Sequence, residues 1–548
     1  MKPFLPALFL TSCCLADFAD LRTIEHGLRE DPGVVVNSQG KAQHDLSIRG
    51  SGYTGAGVSL NGLNLKVPYS AHFGSELPLP GNLFLEPEVR TGLDNASGSL
   101  AGTVAYTTAP REEQTQDSMG LGSKEQYQAT LFGSSEYFGG VIDWEKARKI
   151  DHGKNDLERE DTGIFVQFPA GGWVFDILST LRTKEFGAQG YYGIPKQVYA
   201  EQRTDDFLTF FSATKGELDD AFFRTSASLR EFDDEYAIPS ELFTNEVVSR
   251  HGAVMAEGRT LEIQHIALNL RGDLEYERIS GDVGTHDRLR GSVMVLPEVR
   301  FERVVFKAGL NSVFQSDESA EWLPLAGIDW LASDNGTVYA SYSETERQPD
   351  YETLYYNGPY RTGNPLLEQQ HSQNTELGFR QFLSASLDWK IAGFHRRMDH
   401  ASDWIGGVAT DLGTLKVAGI DTGIGFYPTE NVRLTAYYQW VHKDNELTGG
   451  LYETDYPEHL LNLSAQWRFL DEYTLQFAQT TRWQTENPAR TGSDFGAEAS
   501  LGLHWEPRFA NNVRLSFLVD NLWGSNFEAI PGLEPRPTTA SAGMAVRW

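Results

Sequence analysis

"NVRLTAYYQWVH", Asn431 to His442, alternates with a period of two. Val432, Leu434, Ala436, Tyr438 and Trp440 fall on one side, and Arg433, Thr435, Tyr437 and Gln439 on the other. "LLNLSAQWRF" (Leu460–Phe469) does the same, setting Leu461, Leu463, Ala465, Trp467 and Phe469 against Asn462, Ser464, Gln466 and Arg468. "NVRLSFLVDN" (Asn512–Asn521) and "SAGMAVRW" (Ser541–Trp548) repeat the pattern to the last residue. Period two is the mark of a strand with one apolar and one polar face. A soluble sandwich turns the apolar face inward, whereas a membrane barrel turns it to lipid and encloses a polar lumen. Arg, Gln and Asn in mid-strand suit a wet lumen. Trp440, Trp467, Trp505 and Trp548 stand at strand ends, where interfacial girdles form. The final strand ends on an aromatic residue, Trp548.

Length sets the strand number. Residues from 118 to 548 supply roughly 430 positions, and a spanning strand needs about 9–11 residues. With one connection per strand, this predicts about 22 antiparallel strands. A lumen that wide needs a plug. The residues ahead of the barrel, 17–112, would form it as a small α/β domain.

Composition narrows the partners. The 548 residues carry a net charge of −30, with Lys and Arg together at 46 against 76 for Asp and Glu. Nucleic acid is excluded as a partner, because phosphate binding needs clustered positive charge. An acidic excess is either a solvated surface or a means of capturing a cation or cationic ligand. "MKPFLPALFLTSCCLA" (residues 1–16) reads as an export signal: Lys2, a short apolar run, then a small residue at Ala16. Cys13 and Cys14 both lie inside it, so the mature chain would hold no cysteine. "LTSC" at Leu10–Cys13 also fits a lipobox, which would leave Cys13 lipidated; ordinary cleavage after Ala16 is the expectation.

"SIRGSGYTGAGVSLNGLNLKVPYS" (Ser47–Ser70) is rich in glycine but has no phosphate-loop or dinucleotide context. Gly50, Gly52, Gly55 and Gly62 are expected to supply left-handed turns or close backbone approach. Here the chain resembles the TonB-dependent receptors of Gram-negative outer membranes. The likeness rests on four stretches in order. "PGV" (Pro32–Val34), "IRG" (Ile48–Gly50) and "VSLNG" (Val58–Gly62) look like the family's plug. "EVRTGLDNASGSLAGTVAYTT" (Glu88–Thr108) looks like the unit that closes it. "YASYSETERQPDYETLYYNGPYRTGNPLLEQQHSQNTELGFR" (Tyr339–Arg380) is similar to a mid-barrel signature, with Gln370 where the family usually has Glu or a similar residue. "VDNLWGSNFEAIPGLEPRP" (Val519–Pro537) is similar to the last hairpin. "FGAQGYYGIP" (Phe186–Pro195) and "IPGLEPRP" faintly resemble cobalamin receptors.

The resemblance implies an outer-membrane importer of a scarce ligand such as a siderophore or corrinoid, energised through a TonB-type inner-membrane complex, monomeric and embedded in outer-membrane lipid. "DFADLRTIEHGLRED" (Asp17–Asp31) looks like the first plug helix, and no clear TonB box precedes it. The family pairs plug arginines with glutamates of the barrel wall. Arg49 and Arg90 are the plug candidates, and Glu298, Glu302 and Glu376 the wall candidates. The resemblance also turns the plug loops outward. An aromatic ligand basket is then expected from Tyr53, Tyr69, His72 and Phe73 of the plug and Tyr351, Tyr355, Tyr356 and Tyr360 of a barrel loop. No catalytic constellation stands out: there is no G-x-S-x-G elbow, and His251, His265 and His286 lack metal-ligand spacing. No cofactor and no resident metal is expected, with Ca²⁺ at the acidic runs Glu217–Asp220 or Glu231–Glu235 as a secondary possibility. Two other readings stay open. One is a barrel that binds or conducts passively without TonB, and the other a secreted soluble β-protein that binds glycans.

Overall fold

A computed structural model describes residues 33–78, 83–85, 87–111, 113–148, 154–218, 220–316, 319–445 and 447–548. The export signal, both cysteines, the supposed TonB-box region and the helix expected over 17–31 lie outside them. Strands β7 (Gln114–Gly122) through β28 (Thr539–Arg547) pair antiparallel, each with its neighbour in sequence. β28 returns to β7, through pairs such as Ser541 with Gly122, and closes a barrel of 22 strands. The first strand begins at Gln114, ahead of the expected boundary at 118.

The alternation lies as a lipid-facing barrel demands. On β13 (Phe222–Ile238), Arg224, Ser226, Ser228 and Arg230 are buried while Phe223 and Leu229 are exposed. Further along, the outward positions change from apolar to acidic at Glu231, Asp233 and Glu235. That change marks the upper edge of the lipid band, because a carboxylate facing hydrocarbon is costly. In the Glu231–Glu235 run, Glu231, Asp233 and Glu235 turn outward while Asp234 turns into the lumen. Glu217 and Asp220 are exposed beside a hairpin turn whose Asp219 lies outside the described residues. Among the described residues no helix is long and apolar enough to cross a membrane.

Several charged groups turned into the lumen are paired. Arg182 meets Asp161 at 2.6 Å, Arg230 meets Asp206 at 2.6 Å, and Arg159 meets Asp143 at 2.9 Å. Buried charges persist only when compensated in this way.

The plug fills the space between. A hairpin of β1 (Val34–Gln39) and β2 (Gln43–Ile48) stands beside a mixed sheet ordered β4–β3–β6–β5. These are β3 (Ala56–Leu60), β4 (Leu63–Leu65), β5 (Glu88–Arg90) and β6 (Gly102–Tyr106), with β3 and β6 parallel. Val58, Leu60, Leu63 and Val104 form its apolar centre and pack with Phe165, Leu208 and Phe210 of the wall. Two glycines of Ser47–Ser70 have a clear task. Asn61 and Gly62, at φ 42° and 82°, turn β3 into β4, and a side chain at Gly62 would strike Glu257 of the wall. Gly50, at φ 72°, ends the turn that aims Arg49 sideways.

Candidate functional site

The chain's last residue and the turns 171–172, 302–303 and 430–431 lie at one end of the barrel. The longer connections 188–200, 348–369 and 445–456 lie at the other and close over the plug. Asp350 caps the short helix Tyr351–Tyr355 by accepting from Thr353 N at 3.0 Å. That fixes the 348–369 loop in a form whose backbone can pair with the plug. Tyr351 N donates to Pro68 O at 3.2 Å and Glu352 N to Tyr69 O at 2.7 Å. Ser70 Oγ donates to Glu352 Oε2 at 2.6 Å, and Ala71 N to Asp350 Oδ2 at 3.2 Å.

Arg361 binds these pieces together. Its guanidinium pairs with Glu352 and donates to Tyr192 O at 3.1 Å. It also lies 4.4 Å from the Trp404 ring and 5.0 Å from that of Tyr356. Burial alone would raise the Glu352 carboxyl, but Arg361, His72 and Ser70 outweigh it and hold the group below its usual range. Burial likewise pushes the Tyr356 phenol up to about 12, so it stays a neutral donor.

Beneath the loops is an aromatic stack. The Tyr53 and His72 rings are parallel at 3.8 Å, and Tyr452 meets Tyr53 edge-on at 4.7 Å. Tyr192 lies 5.0 Å from His72. His72 Nδ1 is 2.8 Å from Asp45 Oδ1, which orients the ring. His72 Nε2, Tyr53 OH and Tyr452 OH are buried without hydrogen-bond partners. A small cavity of about 20 Å³, room for about one water, lies alongside between Tyr69, Phe73, Tyr192, Tyr236, Tyr356 and Arg361.

The residues expected to form one aromatic basket are covered and divided. Tyr53, Tyr69, His72, Phe73 and Tyr356 are buried at the plug apex. Tyr351 and Tyr355 turn aside to His286, with Tyr355 stacked on it at 3.8 Å. Tyr360 stands at the rim and donates to Glu241 at 2.7 Å. The loops close because their backbones find partners in the plug and their aromatic faces leave water. Sequence reading missed Tyr192, Arg361, Trp404 and Tyr452. The "YYG" of the 188–200 loop was the one visible hint.

Of the proposed ion pairs, Arg49 Nη1 reaches Glu376 Oε2 at 2.7 Å, and Arg49 Nε reaches Asp421 Oδ2 at 2.9 Å. Tyr339 OH secures the other Glu376 oxygen at 2.7 Å. The other candidates do not take that role. Arg90 bonds Glu88 of its own strand at 3.1 Å, because β5 ends at the sheet's margin. Glu298 is held by Arg259 of the wall at 3.1 Å. Glu302 sits exposed in a hairpin turn at φ 40°, away from the lumen. Lys184 of the wall takes up the unforeseen partner Glu76 of the plug at 2.6 Å.

A closed barrel with lipid-facing strands, a lumen filled by a plug and loops shut over an aromatic apex define a plugged outer-membrane receptor. Residues 90–522 match the family described as TonB dependent receptor-like, beta-barrel, and the chain belongs to that family. Its place is the Gram-negative outer membrane. The fold is similar to that of the FrpB iron transporter from Neisseria meningitidis, F5-1 variant, with a TM-score of 0.75 and 12% identity over 96% of this chain and 99% of that one. It is also similar to a double mutant of the ferric enterobactin receptor PfeA from Pseudomonas aeruginosa, at TM-score 0.74 and 14% identity over 96% of both chains. The siderophore receptor PirA from Acinetobacter baumannii gives 0.73 and 13%, again over 96% of both. No curated protein sequence matches the chain.

Proposed function

We propose that this receptor imports an iron chelate or a similarly scarce, porin-excluded ligand, captured at the plug apex and passed inward with energy from a TonB-type complex. One observation carries the reading. Tyr53 OH, Tyr452 OH and His72 Nε2 gather under closed loops with no partner. An unsatisfied buried polar group costs about 1–3 kcal/mol, so a ligand offering acceptors and donors there would favour reopening. The fold's likeness to an iron transporter and to siderophore receptors supports iron as the cargo.

The chain's acidic balance supports a neutral or cationic chelate over a highly anionic one. The 445–456 loop carries Glu446, Glu453 and Asp455 and no Lys or Arg. The 348–369 loop sets Asp350, Glu352 and Glu368 against Arg361 alone. Most of these carboxylates are paired, Glu352 with Arg361, Glu453 with Lys443 and Asp455 with Arg490, so the preference rests on the chain's net charge of −30, which disfavours the approach of a polyanion. The test is uptake of radiolabelled iron chelates of different charge, with a corrinoid as comparison, in cells with and without TonB. Uptake of a neutral or cationic chelate that vanishes without TonB is the expected result. TonB-independent uptake would indicate a passive barrel, and uptake of the corrinoid alone would reassign the ligand.

A further inference from the structure

Spacing along the chain gives His251 no companions, but strand pairing does. It lies on β14 (Phe243–Arg259), directly opposite Glu277 of β15 (Ile266–Gly281), while Ala253 of β14 lies opposite Glu275. With a period of two, His251, Glu275 and Glu277 all turn into the lumen, where each is buried. One ligand atom from each lies within 4.8 Å of the others.

Two observations show that this corner is made for a cation. The plug's Lys66 ammonium occupies it, 2.6 Å from Glu275 Oε2 and 2.7 Å from Glu277 Oε1. His251 meanwhile has neither ring nitrogen hydrogen-bonded, and its Nε2 stands 4.0 Å from Glu275 Oε2. The buried imidazole makes only this long contact with the carboxylates that hold the lysine. It is the ligand a metal ion would add. We propose that His251, Glu275 and Glu277 form a divalent transition-metal site on the lumen wall, covered by Lys66 while the plug is seated.

The charges around it make the ammonium exchangeable for an ion. Glu277 also binds Arg288, and Arg290 binds Glu346 at 2.7 Å. Three carboxylates thus face three cations in the seated state. Withdrawal of Lys66 leaves three buried carboxylates facing two cations, an unfavourable imbalance. One imidazole and two carboxylates suit a borderline ion such as Zn²⁺, Co²⁺ or Fe²⁺, not Ca²⁺ or Mg²⁺, which take oxygen alone. Bonds of about 2.0–2.2 Å need the ligand atoms drawn closer together than they now stand. Side-chain rotation supplies that once the ammonium is gone. The site is independent of the imported ligand at the apex and of whether transport is energised.

The test uses the purified full-length protein without a histidine tag, in detergent, titrated with Co²⁺ and followed by visible absorption. Lys66→Met keeps the bulk of the side chain and removes its charge. This variant is expected to bind one Co²⁺ at least tenfold more tightly than the native protein. Adding His251→Ala should abolish the gain, and so should adding Glu275→Gln. Heat-modifiable gel mobility reports that each barrel is folded. Lys66→Ala serves as a second uncovering variant should Lys66→Met misfold. Equal Co²⁺ binding by the uncovered variant with and without His251 would overturn the proposal and leave Lys66 as a plug anchor only.

Discussion

Arg49 of the plug and Glu376 of the barrel wall meet at 2.7 Å, although 327 positions separate them in the chain. Asp421 at 2.9 Å and the Phe394 ring at 4.5 Å complete the guanidinium's enclosure. Removing one partner of such a pair leaves a buried charge and costs about 3–5 kcal/mol. Arg49→Ala is expected to loosen the plug and raise the conductance of single barrels in planar bilayers. Cells carrying it should become sensitive to large antibiotics. Adding Glu376→Gln and Asp421→Asn should recover part of the loss, because the stranded carboxylates are then neutral. Conductance identical to that of the native protein would show that other contacts suffice to hold the plug.

Glu352 and Arg361 hold the 348–369 loop shut over the plug, and both are buried. Glu352→Gln leaves the Arg361 charge without its counter-ion and weakens the acceptor of Ser70. The loop should then open more often. Amide exchange at Tyr351 and Glu352, whose N–H groups bond the plug, is expected to quicken by at least tenfold, with exchange in the barrel strands unchanged. Exchange unaltered at both positions would mean that the aromatic contacts alone hold the loop.

The barrel was legible because its rule is local. Alternation in Val432–Trp440 can be read from nine residues, and the structure turns Leu434, Tyr438 and Trp440 outward and Tyr437 and Gln439 inward. The strand count followed from length alone. The apex was legible only in part. Tyr53 and His72 were visible in the plug's own sequence, but their neighbours Tyr192 and Tyr452 come from separate loops. Nothing local states which loop lies over which. Ion pairs fail for a related reason. Arg49 and Arg90 look alike in sequence, yet only Arg49 follows a turn that aims it at the wall, while Arg90 bonds within its own strand.

A pH response is expected at Asp403, near the tip of a long hairpin beyond the lipid band. Its carboxylate accepts from Trp404 N at 2.7 Å and Thr454 N at 2.9 Å, and so tethers the 445–456 loop. Burial dominates those bonds and pushes the carboxyl up to about 6. The folded value therefore exceeds the unfolded one. The stabilisation is full below about pH 4 and is lost as pH rises through about 6, amounting to about 2–3 kcal/mol across that window. Asp455, buried beside Arg490, is also raised by burial and adds to the slope. Amide exchange at Tyr452 and Thr454, corrected for its intrinsic pH dependence, should speed up between pH 4 and 6. Asp403→Asn should remove part of that trend. A slope unchanged by the substitution would assign it to Asp455 alone.

Covering loops imply that capture requires opening, and one position allows the opening to be locked. Glu453 Oε2 accepts from Gly52 N at 2.7 Å, joining the plug apex to the 445–456 loop. A Cβ placed on Gly52 would stand 3.4 Å from Glu453 Cα. A disulfide needs its Cβ atoms about 3.5–4.5 Å apart, which this approach permits. Both native cysteines fall in the expected export signal, so a Gly52→Cys, Glu453→Cys pair would meet no competing thiol in the mature chain. Oxidised, the double variant is expected to lose ligand capture and uptake by more than tenfold; reduced, it should regain most of both. The reduced form is the necessary reference, because Glu453 also pairs with buried Lys443 at 2.7 Å and its loss has a cost of its own. Full uptake by the oxidised protein would mean that ligand reaches the plug without moving this loop, and the entrance would then lie beside the 348–369 loop.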